Sequence, residues 1–334
     1  MHFSADMPLK DIVYAPLLCQ AHGKLISSGT DCFAGEVGDG SLAQLQQRNP
    51  TWNKDDMLFG LERLAALAET GMQYVFPVYT PEEVALDPQK AMAQLFYLPA
   101  PCKQTDTFAL LMAGGAYGAV CTLGESLPVA ARLNELGMDC FCLNYRTAIP
   151  ENFTDGLMPK PLDDVAAALK VIEAHAQAWM LSPNNYLAGG FSAGGHLAGM
   201  WGTDHLGARH YGLPAPKGLM LIYPMISLEF FEPSPMVNYI RQGMLGQDNT
   251  DRDVLAYAIS RHVDPAYPPV YLLQSEDDDT VGLRGFRTME QAAKNANVPI
   301  LAELISSGGH GFGLGSTTPA KGWPERALDF FLKH

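Results

Sequence analysis

Tyr186-Leu-Ala-Gly-Gly-Phe-Ser-Ala-Gly-Gly-His-Leu-Ala-Gly199 decides the fold of this 334-residue chain. It contains Gly190-Phe-Ser-Ala-Gly194, the G-x-S-x-G pattern of a nucleophile elbow. A serine needs a sharp strand-to-helix turn to lift its hydroxyl clear of the backbone. Glycines two before and two after remove the side chains that would block that turn. A glycine-rich chain of this size carries such a pentad by chance about one time in ten, so the flanks matter. Tyr186, Leu187 and Ala188 ahead of it suit a buried strand, and Gly195, Leu197, Ala198 and Gly199 behind it suit a closely packed helix.

From about residue 105 onward, strand and helix signals alternate on both sides of this elbow. Phe108–Met112 reads as a buried strand running into glycines, and Leu127–Leu136 as a helix stopped by Gly137. Cys140–Leu143 follows as a strand, then a long amphipathic helix opened by Asp163 and Asp164 and running through Trp179. Further strands are expected at Gly218–Tyr223, Pro269–Leu273 and Ile300–Ile305, with helices around Phe286–Asn295 and Glu325–Lys333. This repetition predicts an α/β fold with a mostly parallel sheet covered by helices on both faces.

Residues 1–90 break the rhythm. Ser27–Gly40 reads as loop, and Asp55–Thr70 as a helix carrying Leu58, Leu61, Leu64, Ala65 and Ala68. The expected division is an N-terminal extension over 1–90, placed to cap the active-site mouth, and a catalytic domain over 91–334. Residues 227–262 form an insertion whose Phe230, Phe231, Met236, Tyr239 and Met244 suit either a pocket-lining cap or a plain helical excursion.

Composition narrows the function classes. A net charge of −14 repels phosphate backbones and anionic lipid, so nucleic-acid and membrane-surface partners are not expected. Six cysteines without a C-x-x-C, and no signal-like start in Met1–Lys10, lead to the expectation of a cytoplasmic protein with reduced thiols. No H-E-x-x-H, Cys/His cluster or EF-hand spacing supports a metal, and no G-x-G-x-x-G opens a helix after an N-terminal strand. The expectation is no cofactor and no metal. A homo-oligomer is left open.

Ser192 needs a base and an orienting acid, since a free hydroxyl is a weak nucleophile near neutral pH. In sheet-based hydrolases the chain order is Ser, then Asp or Glu, then His. His310, in Ser306-Ser-Gly-Gly-His-Gly-Phe-Gly313, follows the last expected strand on a glycine-rich loop. His196, His205 and His210 lie too close to the elbow for that order, and His262 precedes the acids. The acid falls within Gln274-Ser-Glu-Asp-Asp-Asp-Thr-Val281, after the preceding strand, where Asp277 and Asp278 both qualify. For the oxyanion, Met112-Ala-Gly-Gly-Ala-Tyr-Gly118 offers the amides of Gly115 and Ala116, with Ala193 as a third donor. A tight glycine turn without a chemical part is the alternative for that stretch. Arg146 is expected to pair with a carboxylate near a strand end, and Asp163 and Asp164 to sit at a helix N-terminus.

Together these motifs resemble the α/β-hydrolase superfamily, in particular its acetyl-xylan-esterase-like and hormone-sensitive-lipase-like carboxylesterases. The resemblance covers about residues 92–334. It is carried by Ala113-Gly-Gly-Ala-Tyr-Gly118, Leu143-Asn-Tyr-Arg146, Pro161-Leu-Asp-Asp164, Gly190-Phe-Ser-Ala-Gly-Gly-His-Leu-Ala198, Leu221-Ile-Tyr-Pro224, Asp278-x-x-Val281 and Gly309-His-Gly-Phe-Gly313. The family acid usually falls three residues before a valine, which selects Asp278. Ala113 and Ala116 depart from the family's usual His-Gly-Gly-Gly or Pro-Gly-Gly-Gly, although an alanine still donates its amide. The resemblance implies a serine carboxylesterase with Ser192, Asp278 and His310 as its triad. Its substrate would be a short acyl ester, acetyl above all, of a small alcohol or carbohydrate. A peptidase or amidase on the same three residues, and a non-catalytic ligand-binding protein of the same fold, are the alternatives.

Overall fold

The computed structural model describes residues 3–25, 40–148 and 153–334. Eight strands form one sheet: β1 (Val75–Pro77), β2 (Gln94–Leu98), β3 (Phe108–Met112), β4 (Asp139–Asn144), β5 (Tyr186–Phe191), β6 (Gly218–Ile222), β7 (Val270–Ser275) and β8 (Ile300–Ile305). Their spatial order is β1-β2-β4-β3-β5-β6-β7-β8. Six strands from β4 across to β8 are parallel, while β1 and β2 run antiparallel at one edge.

The reason is visible residue by residue. Strands β3 to β7 are buried at every position, so both faces are covered and the sequence reads as continuous apolar runs. The Ser126–Glu135 helix packs against β3 and β4 and in turn carries the Lys54–Glu69 and Trp323–Phe331 helices. The Ser192–Trp201 helix lies on β5 and β6 with the Lys160–Trp179 helix against it, and Gly282–Asn295 covers β7 and β8. This is the α/β-hydrolase fold. Fully buried Trp201, Trp323 and Phe191 anchor the layers, each stabilising by about 2–3 kcal/mol relative to exposure.

The chain before residue 90 joins the same body. Its β1 pairs with β2 across the division expected at 90/91, and Phe3, Leu9, Leu42, Leu61 and Tyr74 belong to the one hydrophobic core. Asn53 caps the Lys54–Glu69 helix, its side-chain oxygen accepting the amides of Asp55 and Asp56. Thr51 and Trp52, just ahead of that cap, lie against Gly309 and Gly311, so this part backs the His310 loop. Apart from Gly40, the loop expected at Ser27–Gly40 lies outside the described residues, as does Cys32.

Two further expectations meet specific structure. The long helix begins at Lys160, one turn earlier than Asp163 and Asp164 suggest. Asp164 does not cap it; the carboxylate is buried and takes the Arg146 side chain at 2.8 Å and the Arg146 amide at 2.7 Å. The arginine just beyond β4 and the aspartate near the helix start are thus an ion pair. In the 227–262 insertion, Met236 and Tyr239 are exposed on the Pro235–Leu245 helix, whereas Met244 is buried.

Among the described residues, Cys19, Cys102, Cys140 and Cys142 form no disulfide. Among the described residues no helix is long and apolar enough to cross a membrane, and no group of three or more His, Cys, Asp or Glu side chains is placed to hold a metal ion.

Candidate active site

Four of the loops that follow parallel strands meet at the carboxyl edge of the sheet, where ligands bind in open α/β folds. Strand β3 runs into Ala113–Gly118, β5 into Ser192, β7 into Asp278 and β8 into His310.

Ser192 sits at the elbow with φ of 51°, a left-handed conformation that costs an L-residue about 1–2 kcal/mol. The turn survives because its neighbours leave no room for anything else. A Cβ on Gly190 would stand 2.0 Å from the Gly194 oxygen, and one on Gly194 2.1 Å from the Met112 oxygen. The serine hydroxyl lies 2.8 Å from His310 Nε2. His310 Nδ1 lies 2.8 Å from Asp278 Oδ2. With Nδ1–H donating to the carboxylate, Nε2 is left free to accept from Ser192, the tautomer a base requires.

Asp278 is 4% exposed and fully engaged. Oδ2 also accepts Gln274 Nε2 at 2.6 Å, and Oδ1 accepts the amides of Thr280 and Val281 at 2.9 and 3.0 Å. Those four donors compensate a buried charge. Asp277 has a different place. It accepts the Ser275 hydroxyl and the amides of Gly309 and Gly308, which hold its carboxyl below the usual range, the Ser275 hydroxyl most of all. One acid thus meets the imidazole and its neighbour ties down the loop that carries it.

The stretch expected to hold an oxyanion lies against Ser192. Gly114 approaches Ser192 so closely that an added Cβ would be 2.8 Å from the serine Cβ. Gly115, Ala116 and Tyr117 all take positive φ, at 132°, 52° and 59°. The turn's internal hydrogen bonds use the amides of Gly118, Ala119 and Cys121. Ala193 lies in the first turn of the elbow helix, where amides lack intrahelical acceptors.

His196, too close to the elbow in sequence to be its base, has a structural part instead. Its Nε2 donates to the Tyr257 oxygen at 2.7 Å, so Nδ1 accepts the Tyr117 hydroxyl at 2.7 Å. Burial depresses the imidazole to about 4, keeping it neutral. A side chain of the elbow helix thereby pins the strained turn at Ala116–Tyr117 and the 227–262 insertion. The signal was Tyr117 next to the glycines, but its partner lies 79 residues on.

The BD-FAE family model matches residues 96–292, more than half of the chain. The chain belongs to the BD-FAE family. Among curated proteins this BD-FAE chain is 27% identical over 216 residues to an acetylxylan esterase of Xylanibacter ruminicola, covering 61% of the chain and 40% of that protein. It is 25% identical over 221 residues to endo-1,4-beta-xylanase B of Butyrivibrio fibrisolvens, covering 64% of the chain and 34% of that protein. The chain therefore spans less than half the length of either relative. Among solved structures, an acetyl ester-xyloside bifunctional hydrolase from Caldicellulosiruptor lactoaceticus superposes with a TM-score of 0.65 at 26% identity, over 78% of this chain and 95% of the other. A carboxylesterase of Lactobacillus plantarum, at 21% identity and a TM-score of 0.57, shares the BD-FAE chain's fold.

Proposed function

We propose that this chain is a cofactor-free serine carboxylesterase acting on short acyl esters, acetyl above all, of carbohydrates or small alcohols. The observation that carries the reading is the continuous line from Ser192 Oγ through both nitrogens of His310 to Asp278, each step 2.8 Å. The relatives named as acetylxylan esterase and acetyl ester-xyloside hydrolase support the ester class and the acetyl group.

In this reading Ser192 Oγ attacks the ester carbonyl while His310 Nε2 takes its proton. Asp278 keeps the imidazole in the required tautomer and stabilises the imidazolium. The carbonyl oxygen, now negative, is held by the amides of Gly115, Ala116 and Ala193. One such donor is worth about 10²- to 10³-fold in kcat, because it is aimed before the charge develops. His310 then protonates the departing alkoxide. Water, deprotonated by the same imidazole, clears the acyl-enzyme and regenerates Ser192.

The test is hydrolysis of p-nitrophenyl acetate, butyrate and octanoate, and of acetylated xylan, by wild type and Ser192→Ala. The expected result is turnover that declines with chain length and falls on the order of 10⁴- to 10⁶-fold in the variant. Equal rates with and without the serine hydroxyl would reject the reading. A preference for octanoate would reject its acetyl part.

A further inference from the structure

Glu125 stands at the N-terminus of the Ser126–Glu135 helix, where an acidic side chain ordinarily turns back to bond the first amides. It makes no such bond. Instead its carboxylate is buried, 3% exposed, beneath the nucleophile. A Cβ placed on Gly114 would sit 2.8 Å from the Ser192 Cβ and 3.1 Å from Glu125 Oε2, so one glycine backbone separates the two side chains.

Its two oxygens serve two different loops. Oε2 accepts the Gly114 amide at 2.5 Å, at the root of the turn that carries Gly115 and Ala116. Oε1 accepts the Tyr223 hydroxyl at 3.1 Å. The Tyr223 oxygen accepts the Gly313 amide at 2.9 Å, and its ring meets the His310 ring edge-on with centroids 5.0 Å apart. The donors all run one way, from Gly313 to Tyr223 to Glu125 and from Gly114 to Glu125. Tyr223 itself holds φ of 37° just after β6, a conformation that such an anchored hydroxyl helps to maintain.

We propose that Glu125 is a positioning residue of the reaction, locking the oxyanion turn to the His310 loop through Gly114 and Tyr223. The proposal deepens the esterase reading and rests on it. Burial pushes the carboxyl up to about 7, against the pull of the Gly114 amide, His310 and Tyr223. A helix needing only a cap would not hold a carboxylate where water cannot reach it. A structure that must fix two catalytic loops relative to each other gains from doing so, because the turn and the loop come from strands on opposite sides of β5.

The experiment compares Glu125→Ala, Glu125→Gln and Tyr223→Phe with wild type in the full chain. It measures kcat and KM on p-nitrophenyl acetate, and amide hydrogen exchange over residues 113–118 and 306–313. Loss of the lock is expected to lower kcat of Glu125→Ala by about 10²-fold with KM within threefold. The glutamine should recover to within about tenfold of wild type, since its oxygen accepts the Gly114 amide and its NH₂ donates to the Tyr223 oxygen. Exchange should quicken over both segments in Glu125→Ala, and over 306–313 alone in Tyr223→Phe. A Glu125→Ala kcat within twofold of wild type, an unrecovered glutamine, or a Glu125→Ala exchange that quickens in one segment only would overturn the lock. If Glu125→Ala does not fold, Tyr223→Phe carries the test: a lowered kcat with faster exchange over 306–313 supports the lock, and wild-type turnover and exchange would overturn it. Turnover that ignores Ser192 would reject the esterase reading, and the catalytic part of the proposal with it, while the exchange arm still decides whether Glu125 couples the two loops.

Discussion

Around Ser192 the chain is held by exclusion. Gly190 and Gly194 admit no Cβ without contacts near 2 Å to backbone oxygens, and the strand ahead of them is buried at every residue. Around His310 the chain is held by attraction. Asp277 gathers the Ser275 hydroxyl and two glycine amides, Asp278 gathers the imidazole and three other donors, and Tyr223 takes the Gly313 amide. A sterically held turn should be indifferent to pH and intolerant of any added atom. A loop held by carboxylates should respond to acid and tolerate added atoms at Gly309, though not at its far end, where a Cβ on Gly313 would stand 2.4 Å from the Gly124 oxygen. Asp277 gives that response its sign: its depressed carboxyl contributes stability that is present above the ordinary carboxylate value and lost as pH falls through the folded one.

The largest expected effect separates the two carboxylates of the histidine loop. Asp278→Asn should lower kcat/KM for p-nitrophenyl acetate on the order of 10³- to 10⁴-fold, because an amide facing Nδ1 favours the wrong imidazole tautomer. Asp277→Asn should stay within about tenfold of wild type, since it keeps an acceptor for the loop amides. The reverse ranking in steady-state assays would remove Asp278 from the proposed triad and break the division of labour between the two.

Next comes a pair of glycines, one from each region. Gly194→Ala places a methyl 2.1 Å from the Met112 oxygen and 2.4 Å from the Ala113 oxygen, and is expected to cost more than about 4 kcal/mol or to prevent folding. Gly309→Ala, at φ of 65°, meets only the Thr51 side chain at 2.9 Å and should cost about 1–2 kcal/mol. Urea unfolding of the two variants measures both. Equal costs would mean that the histidine loop is as sterically fixed as the elbow.

A graded effect, spread over three pH units, is read from titration. Glu125 has its carboxyl raised from 4.5 to about 7, chiefly by burial. A raised value means a contribution to stability fully present below the unfolded pKa and lost as pH climbs through the folded one. Relative to Glu125→Gln, wild type should therefore lose up to about 3 kcal/mol between pH 4.5 and pH 7.5. Denaturant titrations at those two values check the slope, and a flat difference would place the carboxyl in contact with water.

The parallel strands and the elbow are legible in the sequence because their causes are local. A strand buried on both faces must be apolar throughout, and a serine on a left-handed turn must have small neighbours. The antiparallel edge is not legible. Val75–Pro77 is three residues long and ends in proline, and nothing in it announces Gln94–Leu98 as its partner. The site divides the same way. Ser192 and His310 stand out by their glycines, whereas adjacency alone cannot rank Asp277 against Asp278; a family resemblance chose between them. The bridging contacts of Glu125, Tyr223 and His196 are not legible because they span 98, 90 and 79 residues, and each residue alone resembles an ordinary helix start, strand end or helix interior.

The surroundings of His310 have an optical use. Trp52 lies against Gly124 and Gly311, and the Trp323 indole donates to the Gly313 oxygen at 3.2 Å. Two of the four tryptophans in the chain therefore flank the segment bearing His310. Their near-ultraviolet emission is a built-in reporter of where that histidine stands, readable in a cuvette without a label.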